Sequence, residues 1–524
     1  MSERVSSLSG KAEGELPPGI SSPSRARRLF AGWSANIVQV ALGVIQQVAL
    51  VPVFLHYWTS DMLAAWLAIY AAGNLVPIAD AGLQFRAINR FLGFKSGADC
   101  DGRTAEFYGS LLRVYFGLAG LLVVLVLGIT RFILPSAVLG FQAIPDFDAA
   151  YVVMMVGMLL GLPASLVSGL YRARGLYGRA VGVQNWAMIL ALAGQLIAVV
   201  STRSLLAVAI AYAAAQVAMM AYFVWIDAPR MVASLRGRRA VHRWSWVAGQ
   251  FRKAAPFGLS GATDLALVNL PVLLVSVFVS DRVAVAQWAL TRVAAGLVRA
   301  LCVQATLPLA AELGHDYALN LKDRLRSLYA RGSILIALLA SVVVSGLLPF
   351  WPDFFSLWTH GAVRHDPWLA AVLLIGTSAA SPSILAVNYA NYSNQGALLV
   401  RTKGLQLTTF LIVSILLIPR MGPLGAAIAV VASDLLIQFG VLGSIIIRQT
   451  LARPALHLAI LAGLMLVVVS GGWALGILMR SVVPGTGLAR FIGECALWSI
   501  MVVVIASPLA NAGLRARLNA SVPT

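Results

Sequence analysis

Residues 61–90, "DMLAAWLAIYAAGNLVPIADAGLQFRAINR", run through a long, largely apolar stretch and end in charged positions. A membrane-spanning helix needs roughly 20 apolar residues, so the length of this stretch predicts one span. Asp80 lies about 28 Å along a helix that starts at Asp61, which is close to the membrane surface. We therefore expect Asp80 to act with Arg86 and Arg90 in an inner gate or loop anchor, paired with one of these arginines, and not to hold substrate.

The composition of the whole chain is that of a membrane protein. Among its 524 residues 60% are hydrophobic and 11% are charged, whereas a soluble domain carries about 25% charged residues. The formal net charge of +19 would suggest nucleic-acid binding in a soluble protein, but membrane proteins concentrate Lys and Arg in cytoplasmic loops. We therefore expect membrane lipids, and no nucleic acid, as partners. The three cysteines lie far apart and show no metal or redox spacing.

Long apolar stretches like the one in residues 61–90 recur along the chain. About fourteen segments are apolar and long enough to span a membrane, which predicts an all-α, polytopic membrane protein. They lie near residues 34–56, 61–83, 108–133, 150–171, 180–200, 204–226, 255–279, 283–311, 332–350, 367–390, 403–419, 422–447, 455–478 and 490–510.

Positive charges indicate the orientation of these spans. With the N-terminus in the cytoplasm and the loops assigned alternately, most of the 39 Lys and Arg residues fall in cytoplasmic segments. Residues 1–30 are polar, rich in Ser, Pro and Gly, and lack the apolar core of a signal peptide. We therefore expect a disordered cytoplasmic tail at residues 1–33 and a cytoplasmic location for both termini.

The sequence contains a weak internal repeat. Residues 203–216, "RSLLAVAIAYAAAQ", resemble residues 421–434, "MGPLGAAIAVVASD", and "RAVGVQ" from Arg179 resembles "RTKGLQ" from Arg401. Six spans separate the matching segments, so the two halves would have the same orientation. Parallel repeats of this kind occur in transporters, with the substrate site between the halves. Coincidence is the alternative, because short apolar words recur in membrane helices.

A third match, between Pro163 and Pro382, comes just before these two and in the same order. The repeat then divides the chain into a tail at 1–33, an N-terminal lobe of spans 1–6 at 34–226, a basic cytoplasmic linker at 227–254, a C-terminal lobe of spans 7–12 at 255–447, and spans 13 and 14 with a cytoplasmic tail at 448–524. Part of the linker is expected to form an amphipathic helix on anionic headgroups.

Charged residues inside the spans are candidate functional residues, because a charge is costly at membrane depth. Arg292 and Arg299 lie two helical turns apart in span 8, about 14 and 24 Å from its start, and project from one face. Unpaired, they would suit an anionic substrate such as a phosphate, which guanidinium holds bidentately. The alternative is that they pair with acids on neighbouring helices. Asp264 in span 7 is the expected partner or an ion-coupling carboxylate, and Asp434 in span 12 is a second ion-coupling candidate or a helix–helix hydrogen-bond partner.

Span 1 carries a polar stripe at helical spacing, formed by Asn36, Gln39, Gly43 and Gln46. Such a stripe must face the protein interior or a water-filled cavity. Asn36, Gln39 and Gln46 are therefore candidate substrate-binding residues, and packing against a neighbouring helix is the open alternative.

The sequence shows no arrangement typical of catalysis. Its six histidines are scattered without the spacing of a metal site, and no pair of carboxylates lies on a predicted outside loop. We therefore expect no catalytic residues, no metal and no enzyme activity.

Residues 52–91, "PVFLHYWTSDMLAAWLAIYAAGNLVPIADAGLQFRAINRF", resemble the start of the bacterial polysaccharide repeat-unit flippases. The shared features are an early Pro-x-Phe-Leu, a Trp-Leu in span 2, and Asp80-x-Gly82-Leu83 followed by Arg90. Residues 422–429, "GPLGAAIA", resemble the start of span 12 in that family. The fourteen spans and the six-plus-six repeat match its superfamily, the multidrug/oligosaccharidyl-lipid/polysaccharide exporters, over nearly the whole chain.

The resemblance implies a V-shaped bundle of two lobes in the bacterial inner membrane. By alternating access it would move an undecaprenyl-pyrophosphate-linked oligosaccharide to the periplasmic leaflet. Basic residues of the cavity would attract the pyrophosphate or acidic sugars, and a Na⁺ or H⁺ gradient would drive transport without a cofactor. Arg292, Arg299 and Asp264 are the residues that could take these roles here. A polysaccharide polymerase and a chain-length regulator are the implied protein partners.

Two alternatives belong to the same superfamily, a lipid II flippase and a multidrug and toxin extruder. A major facilitator would also have parallel six-span halves, but residues 82–103 lack the Gly-x-x-x-Asp-Arg-x-Gly-Arg-Arg motif expected there. A membrane glycosyltransferase or polysaccharide polymerase is the alternative from a different class. Such an enzyme would present catalytic groups on a sizeable external loop, whereas the predicted outside loops are all short.

Overall fold

The computed structural model describes residues 25–96, 102–232, 235, 244–393, 395–483 and 487–507. All regular structure in these ranges is helical. The α-helices are α1 (Arg25–Tyr57), α2 (Ser60–Gly73), α3 (Leu83–Ser96), α4 (Arg103–Phe132), α5 (Pro135–Leu139), α6 (Phe147–Gly161), α7 (Pro163–Arg174), α8 (Tyr177–Thr202), α9 (Leu205–Ala221), α10 (Ala228–Met231), α11 (Trp244–Phe278), α12 (Val283–Ala318), α13 (Lys322–Thr359), α14 (Pro367–Ala380), α15 (Pro382–Tyr392), α16 (Gly396–Met421), α17 (Pro423–Ser433), α18 (Ser444–Thr450), α19 (Pro454–Val482) and α20 (Gly487–Ala506).

The number of spans agrees with the sequence. Within the described ranges, 13 helices are long and apolar enough to cross a membrane, and the bent pair α14–α15 brings the number to 14 if it forms one span. The predicted all-α, polytopic fold is therefore confirmed. Boundaries differ where the first or last turns of a helix are polar: α16 begins at Gly396, before the predicted start at 403, and α12 continues to Ala318, past the predicted end at 311.

Several predicted segments lie wholly or partly outside the described residues. These are residues 1–24 of the predicted tail, residues 233–234 and 236–243 of the linker, and residues 508–524 at the C-terminus. Helix α1 begins at Arg25, inside the segment predicted as a disordered tail. The disorder predicted for the tail stays a prediction for residues 1–24.

Prolines interrupt one span in each half of the chain at matching places. Pro163 and Pro382 begin helices α7 and α15, which directly follow α6 and α14. Proline has no backbone N–H and its ring clashes with the preceding turn, so a helix bends or restarts there. The bend between α14 and α15 is 45°. These two prolines were aligned by the predicted repeat, and the structure gives both the same local role.

Each half also contains a π-helix in its sixth span. The first covers Tyr222–Asp227 after α9, and the second covers Asp434–Gly443 after α17. A π-helix is rare and often lies at a functional site. Both segments carry an acidic residue, Asp227 in the first and Asp434 in the second, and both carboxylates are buried.

The chain divides into two compact units. The first consists of residues 1–50 and 72–262, and the second of residues 51–71 and 263–524. The boundary near residue 262 falls inside helix α11, which runs without a break from Trp244 to Phe278. The division into lobes at 34–226 and 255–447 stays a prediction.

Helices of the first unit approach closely where residues are small. A Cβ built on Gly157 of α6 would lie 2.4 Å from the Cβ of Ala213 in α9. A Cβ on Gly73 would lie 2.8 Å from the terminal methyl of Met154. Small residues are enriched at such interfaces because lipid provides no hydrophobic drive between helices, and close van der Waals contact takes its place.

Spans 13 and 14 pack on the second unit in the same way. A Cβ on Gly472 of α19 would lie within 2.5 Å of Ser345 in α13, and a Cβ on Gly476 would lie within 2.5 Å of Pro349. A Cβ on Gly346 of α13 would lie 2.7 Å from the ring of Trp498 in α20. Helix α13 is thus covered by both C-terminal spans.

The end of span 2 makes a backbone contact with α11. After a 3-10 helix at Val76–Asp80, Ala81 and Gly82 adopt left-handed conformations with φ of 47° and 81°. A Cβ on Gly82 would lie 2.4 Å from the backbone nitrogen of Gly258. Only glycine tolerates both this φ and this distance, so the turn after Asp80 is seated directly on the helix that begins at Trp244.

We expect Gly258→Ala to destabilise the protein. Its new methyl group would lie within 2.6 Å of the carbonyl carbon and oxygen of Ala81, which are backbone atoms and cannot swing aside. Overpacking at such a place costs about 1–3 kcal/mol, so the thermal unfolding midpoint of the purified protein should fall. Gly261→Ala is the matched control on the same helix, since nothing lies within 4 Å of a Cβ there. Equal midpoints for the two variants would contradict the contact.

Candidate functional site

Three of the charged residues predicted from the sequence meet in the second unit. Arg299 of α12 donates from Nη1 to Oδ2 of Asp434 over 3.3 Å, and its Nη2 lies 3.8 Å from Oδ1 of Asp264 in α11. Asp434 is 7% exposed. The interpretation of Arg299 as an unpaired arginine is therefore wrong. A charge at membrane depth is stabilised by opposite charges on neighbouring helices, and Arg299 has two of them.

Lys403 joins this group and was not predicted as a site residue. Its Nζ lies 2.8 Å from Oδ1 of Asp264 and 3.0 Å from Oε1 of Gln438. The residue is 1% exposed. The predicted start of span 11 at 403 placed this lysine at the membrane surface, whereas α16 already begins at Gly396. Its position three residues before Gln406, another buried polar residue, is the signal that could have placed both on one interior face.

Two glutamines complete the hydrogen bonding. Gln406 donates from Nε2 to Oδ1 of Asp434 over 2.6 Å, and Gln438 donates from Nε2 to the hydroxyl of Ser383 over 2.8 Å. We call the following residues the ionic cluster: Asp264, Arg299, Lys403, Gln406, Asp434 and Gln438. Its two cations and two carboxylates balance, which a group of charges at this depth requires.

The two carboxylates of the ionic cluster differ in access. The side chain of Asp264 is 47% exposed, whereas that of Asp434 is 10% exposed. The Lys403 ammonium already fills the position between the oxygens of Asp264 and Gln438 where another cation would bind. Among the described residues, no three His, Cys, Asp or Glu side chains are grouped so as to hold a metal ion.

Arg292 has no carboxylate partner among the described residues. Its Nη1 donates to the backbone carbonyl of Val268 in α11 over 2.7 Å, and its buried Nε makes no hydrogen bond. Pro271 has no N–H to donate, so the carbonyl of Leu267, next to Val268, lacks its usual partner in the backbone ladder of α11. Since α12 begins at Val283 as predicted, Arg292 lies about 14 Å along it, near the middle of the span.

The polar stripe of span 1 faces α8. The hydroxyl of Tyr177 donates to Oδ1 of Asn36 over 2.8 Å, and Gln39 donates from Nε2 to Oε1 of Gln184 over 3.3 Å. These contacts favour the alternative of packing between helices for Asn36 and Gln39. Gln46 makes no hydrogen bond within the described part of the chain, so it is the member of the stripe still free to contact a substrate.

The sequence suggested that Asp80 pairs with Arg86 or Arg90, but in the structure it pairs with neither. Its carboxylate accepts hydrogen bonds from the hydroxyl of Tyr115 and from the backbone N–H of Gln84, the latter over 3.1 Å. The turn at Ala81–Gly82 separates it from the arginines, and these bonds fix that turn. The predicted role of Asp80 in an inner gate or as a loop anchor stays a prediction.

The first unit holds a polar group that sequence reasoning missed. Asp227, 1% exposed, pairs with Arg179 of α8 and accepts hydrogen bonds from the hydroxyls of Tyr171 at 2.6 Å and Tyr222 at 3.3 Å. Asp227 was predicted as the first residue of the linker, and Arg179 as a loop residue. The one available signal was an acid directly after the apolar run of span 6.

We expect Asp264→Ala to destabilise the second unit, because it leaves the buried Lys403 ammonium without its carboxylate. Breaking a fully buried pair costs about 3–5 kcal/mol, and the cost here should be smaller because the side chain of Asp264 is 47% exposed. The measurement is the thermal unfolding midpoint of the purified protein.

The control is the double variant Asp264→Ala with Lys403→Met, which removes both charges. It should recover much of the loss, and the double-mutant cycle gives the coupling energy of the pair. Additive losses in the cycle would show that the two residues are not coupled.

The sequence matches no protein-family model and no curated protein sequence. Solved structures match over most of the chain. Lipid II flippase MurJ in an inward closed conformation has a TM-score of 0.66 at 11% identity, covering 93% of this chain and 100% of that one. An inward-facing multidrug resistance MATE family transporter of the MOP superfamily has a TM-score of 0.57 at 14% identity, covering 83% and 98%.

A variant of the Vibrio cholerae MATE transporter VcmN has a TM-score of 0.53 at 16% identity, covering 79% of this chain and 94% of that one. At such identities the likeness shows the fold alone. It confirms the fold that the sequence resemblance implied: this chain has the fold shared by the lipid II flippase and the MATE transporters.

Proposed function

We propose that this protein is a flippase that moves undecaprenyl-pyrophosphate-linked oligosaccharide repeat units across the bacterial inner membrane by alternating access. The units would serve polysaccharide or O-antigen biosynthesis. The observation that carries the proposal is Arg292, an arginine near the middle of a span with no carboxylate partner among the described residues. A guanidinium binds pyrophosphate oxygens in a bidentate manner, and an anionic substrate would supply the counter-charge that Arg292 lacks.

The sign of the charge argues against a multidrug and toxin extruder for organic cations. A cationic drug would need a free carboxylate, and both carboxylates of the ionic cluster are paired with Arg299 or Lys403. A positive charge at Arg292 would repel such a substrate. The fold supports both functions equally, so the argument rests on these side chains.

A lipid II flippase is the closer alternative, because lipid II presents the same polyprenyl-pyrophosphate to Arg292. We favour the repeat unit because residues 52–91 resemble the repeat-unit flippases. A membrane glycosyltransferase or polysaccharide polymerase has less support, since the solved structures that share this fold are, by their names, a flippase and transporters.

The driving force of transport stays part of the proposal. A Na⁺ or H⁺ gradient is expected, and Asp264 is the better supported ion-coupling residue because its carboxylate is the more exposed of the two. Three further points also stay predictions. They are the cytoplasmic location of both termini, a polysaccharide polymerase and a chain-length regulator as partners, and a role of Gln46 in substrate binding.

We expect Arg292→Ala to abolish complementation of a strain that lacks its repeat-unit flippase. Loss of a charge-assisted hydrogen bond weakens binding by about 1.5–3 kcal/mol, roughly 10- to 100-fold. Arg292→Lys keeps the charge without the bidentate geometry and should retain partial function. The measurement is the amount of surface polysaccharide, together with the amount of each variant in the membrane.

Arg420→Ala is the control, because it removes an exposed arginine at the end of α16 and should complement fully. Full complementation by a well-expressed Arg292→Ala variant would remove Arg292 from the site. Rescue by the wild type of a strain lacking its lipid II flippase, without rescue of the repeat-unit flippase strain, would favour the lipid II alternative.

A further inference from the structure

The first unit contains a cavity that the proposed function does not use. Its volume is about 230 Å³, and three helices form its walls. They contribute Arg90 and Phe94 from α3, Arg103 and Glu106 from α4, and Trp246 and Gln250 from α11.

Helix α3, 14 residues long, is too short to be a span and is expected to lie at the membrane surface. It connects the span that ends at Asp80 to the span that begins at Arg103, and it is not among the helices apolar enough to be spans. Arg86, Arg90 and Phe94 are spaced by four residues and share one face, the face that meets the cavity. The adjoining face holds fully buried apolar residues, namely Leu83, Ala87 and Phe91.

Positive charge exceeds negative charge at this cavity, whose lining holds two arginines and one carboxylate, that of Glu106. Arg90 and Arg103 line it, and Arg86 donates from Nε to Oε1 of Gln250, another lining residue, over 3.4 Å. Neither Arg86 nor Arg90 forms an ion pair with a carboxylate of the described residues. Burial, followed by the charge of Arg90, lowers the pKa of the Arg86 guanidinium. Like charges held this close repel each other, and an anion between them would relieve the repulsion.

Three aromatic side chains, Phe94, Phe107 and Trp246, also line the cavity. The ring centroid of Phe107 lies 5.9 Å from that of Phe94 and 5.9 Å from that of Trp246, in edge-to-face arrangements. A site lined by both arginines and aromatic rings suits an amphiphile. The volume is below the roughly 300–1,000 Å³ of pockets that enclose a whole drug-sized ligand, so the cavity can accept a headgroup with the first part of its apolar chain.

We propose that this cavity binds the phosphate group of an anionic membrane lipid. Arg90 and Arg103 contact the phosphate oxygens, and Trp246 and Phe107 contact the adjoining apolar part of the lipid. The predicted orientation places α3 in the cytoplasmic leaflet, whose anionic lipids attract basic residues. The site shares no residue with the ionic cluster or Arg292 and stands whether or not the proposed substrate is correct.

The test measures binding of short-chain phosphatidylglycerol to the full-length protein in a neutral detergent. The wild type should bind it, and short-chain phosphatidylcholine should bind much more weakly. Arg90→Ala should raise the dissociation constant about tenfold, the effect of losing one charge-assisted hydrogen bond, and Arg90→Glu should abolish binding. Arg113→Ala is the matched control, because it removes an exposed arginine from α4 that does not line the cavity.

A second arm uses inorganic pyrophosphate to distinguish a lipid phosphate from a soluble one. If pyrophosphate displaces the lipid in a way that depends on Arg90, the anion site is supported and assigned to soluble phosphates. If pyrophosphate does not displace the lipid, the lipid headgroup is supported. Unchanged binding in both Arg90 variants, or an equal loss in Arg113→Ala, would overturn the proposal. Unfolding midpoints of the variants show whether a loss reflects binding or folding.

Discussion

Neutralisation of charge inside the second unit is the constraint on which its spans depend. Four ionisable groups lie together at membrane depth, and each basic group faces a carboxyl group contributed by another helix: Lys403 faces Asp264, and Arg299 faces both Asp264 and Asp434. Since a lone charge at this depth is costly, α11, α12, α16 and the π-helix that begins at Asp434 must stay together. Arg292 is left outside this balance, and the proposed function rests on that exception.

The sequence predicted the spans well because each depends on local composition alone. A run of about 20 apolar residues identifies a span wherever it lies, and a charge such as Arg292 stands out within it. Lys403 could not be found in this way, because the first turns of α16 are polar and hydropathy does not show where such a helix begins. The partner of Asn36 could not be found either, since it depends on α8 lying opposite α1.

The two halves of the chain share more than their apolar pattern. Each has a proline that restarts a helix in its fourth span and a π-helix with a buried acid in its sixth. The partners of the two acids differ: Asp227 is bound by Arg179 and tyrosines, whereas Asp434 is bound by Arg299 and Gln406. The backbone irregularity is therefore common to both halves, while the chemistry around it has diverged.

The unbalanced charge of Arg292 also has an electrical consequence. Moving one elementary charge across the membrane potential changes the free energy by about 2.3 kcal/mol per 100 mV. Because Arg292 is bound to a neutral carbonyl of Val268 and not to a carboxylate, its full charge would move with α12 in any rearrangement along the membrane normal. If the proposed transport is right, the protein without substrate would then respond to voltage, and the protein holding one compensating negative charge at Arg292 would not.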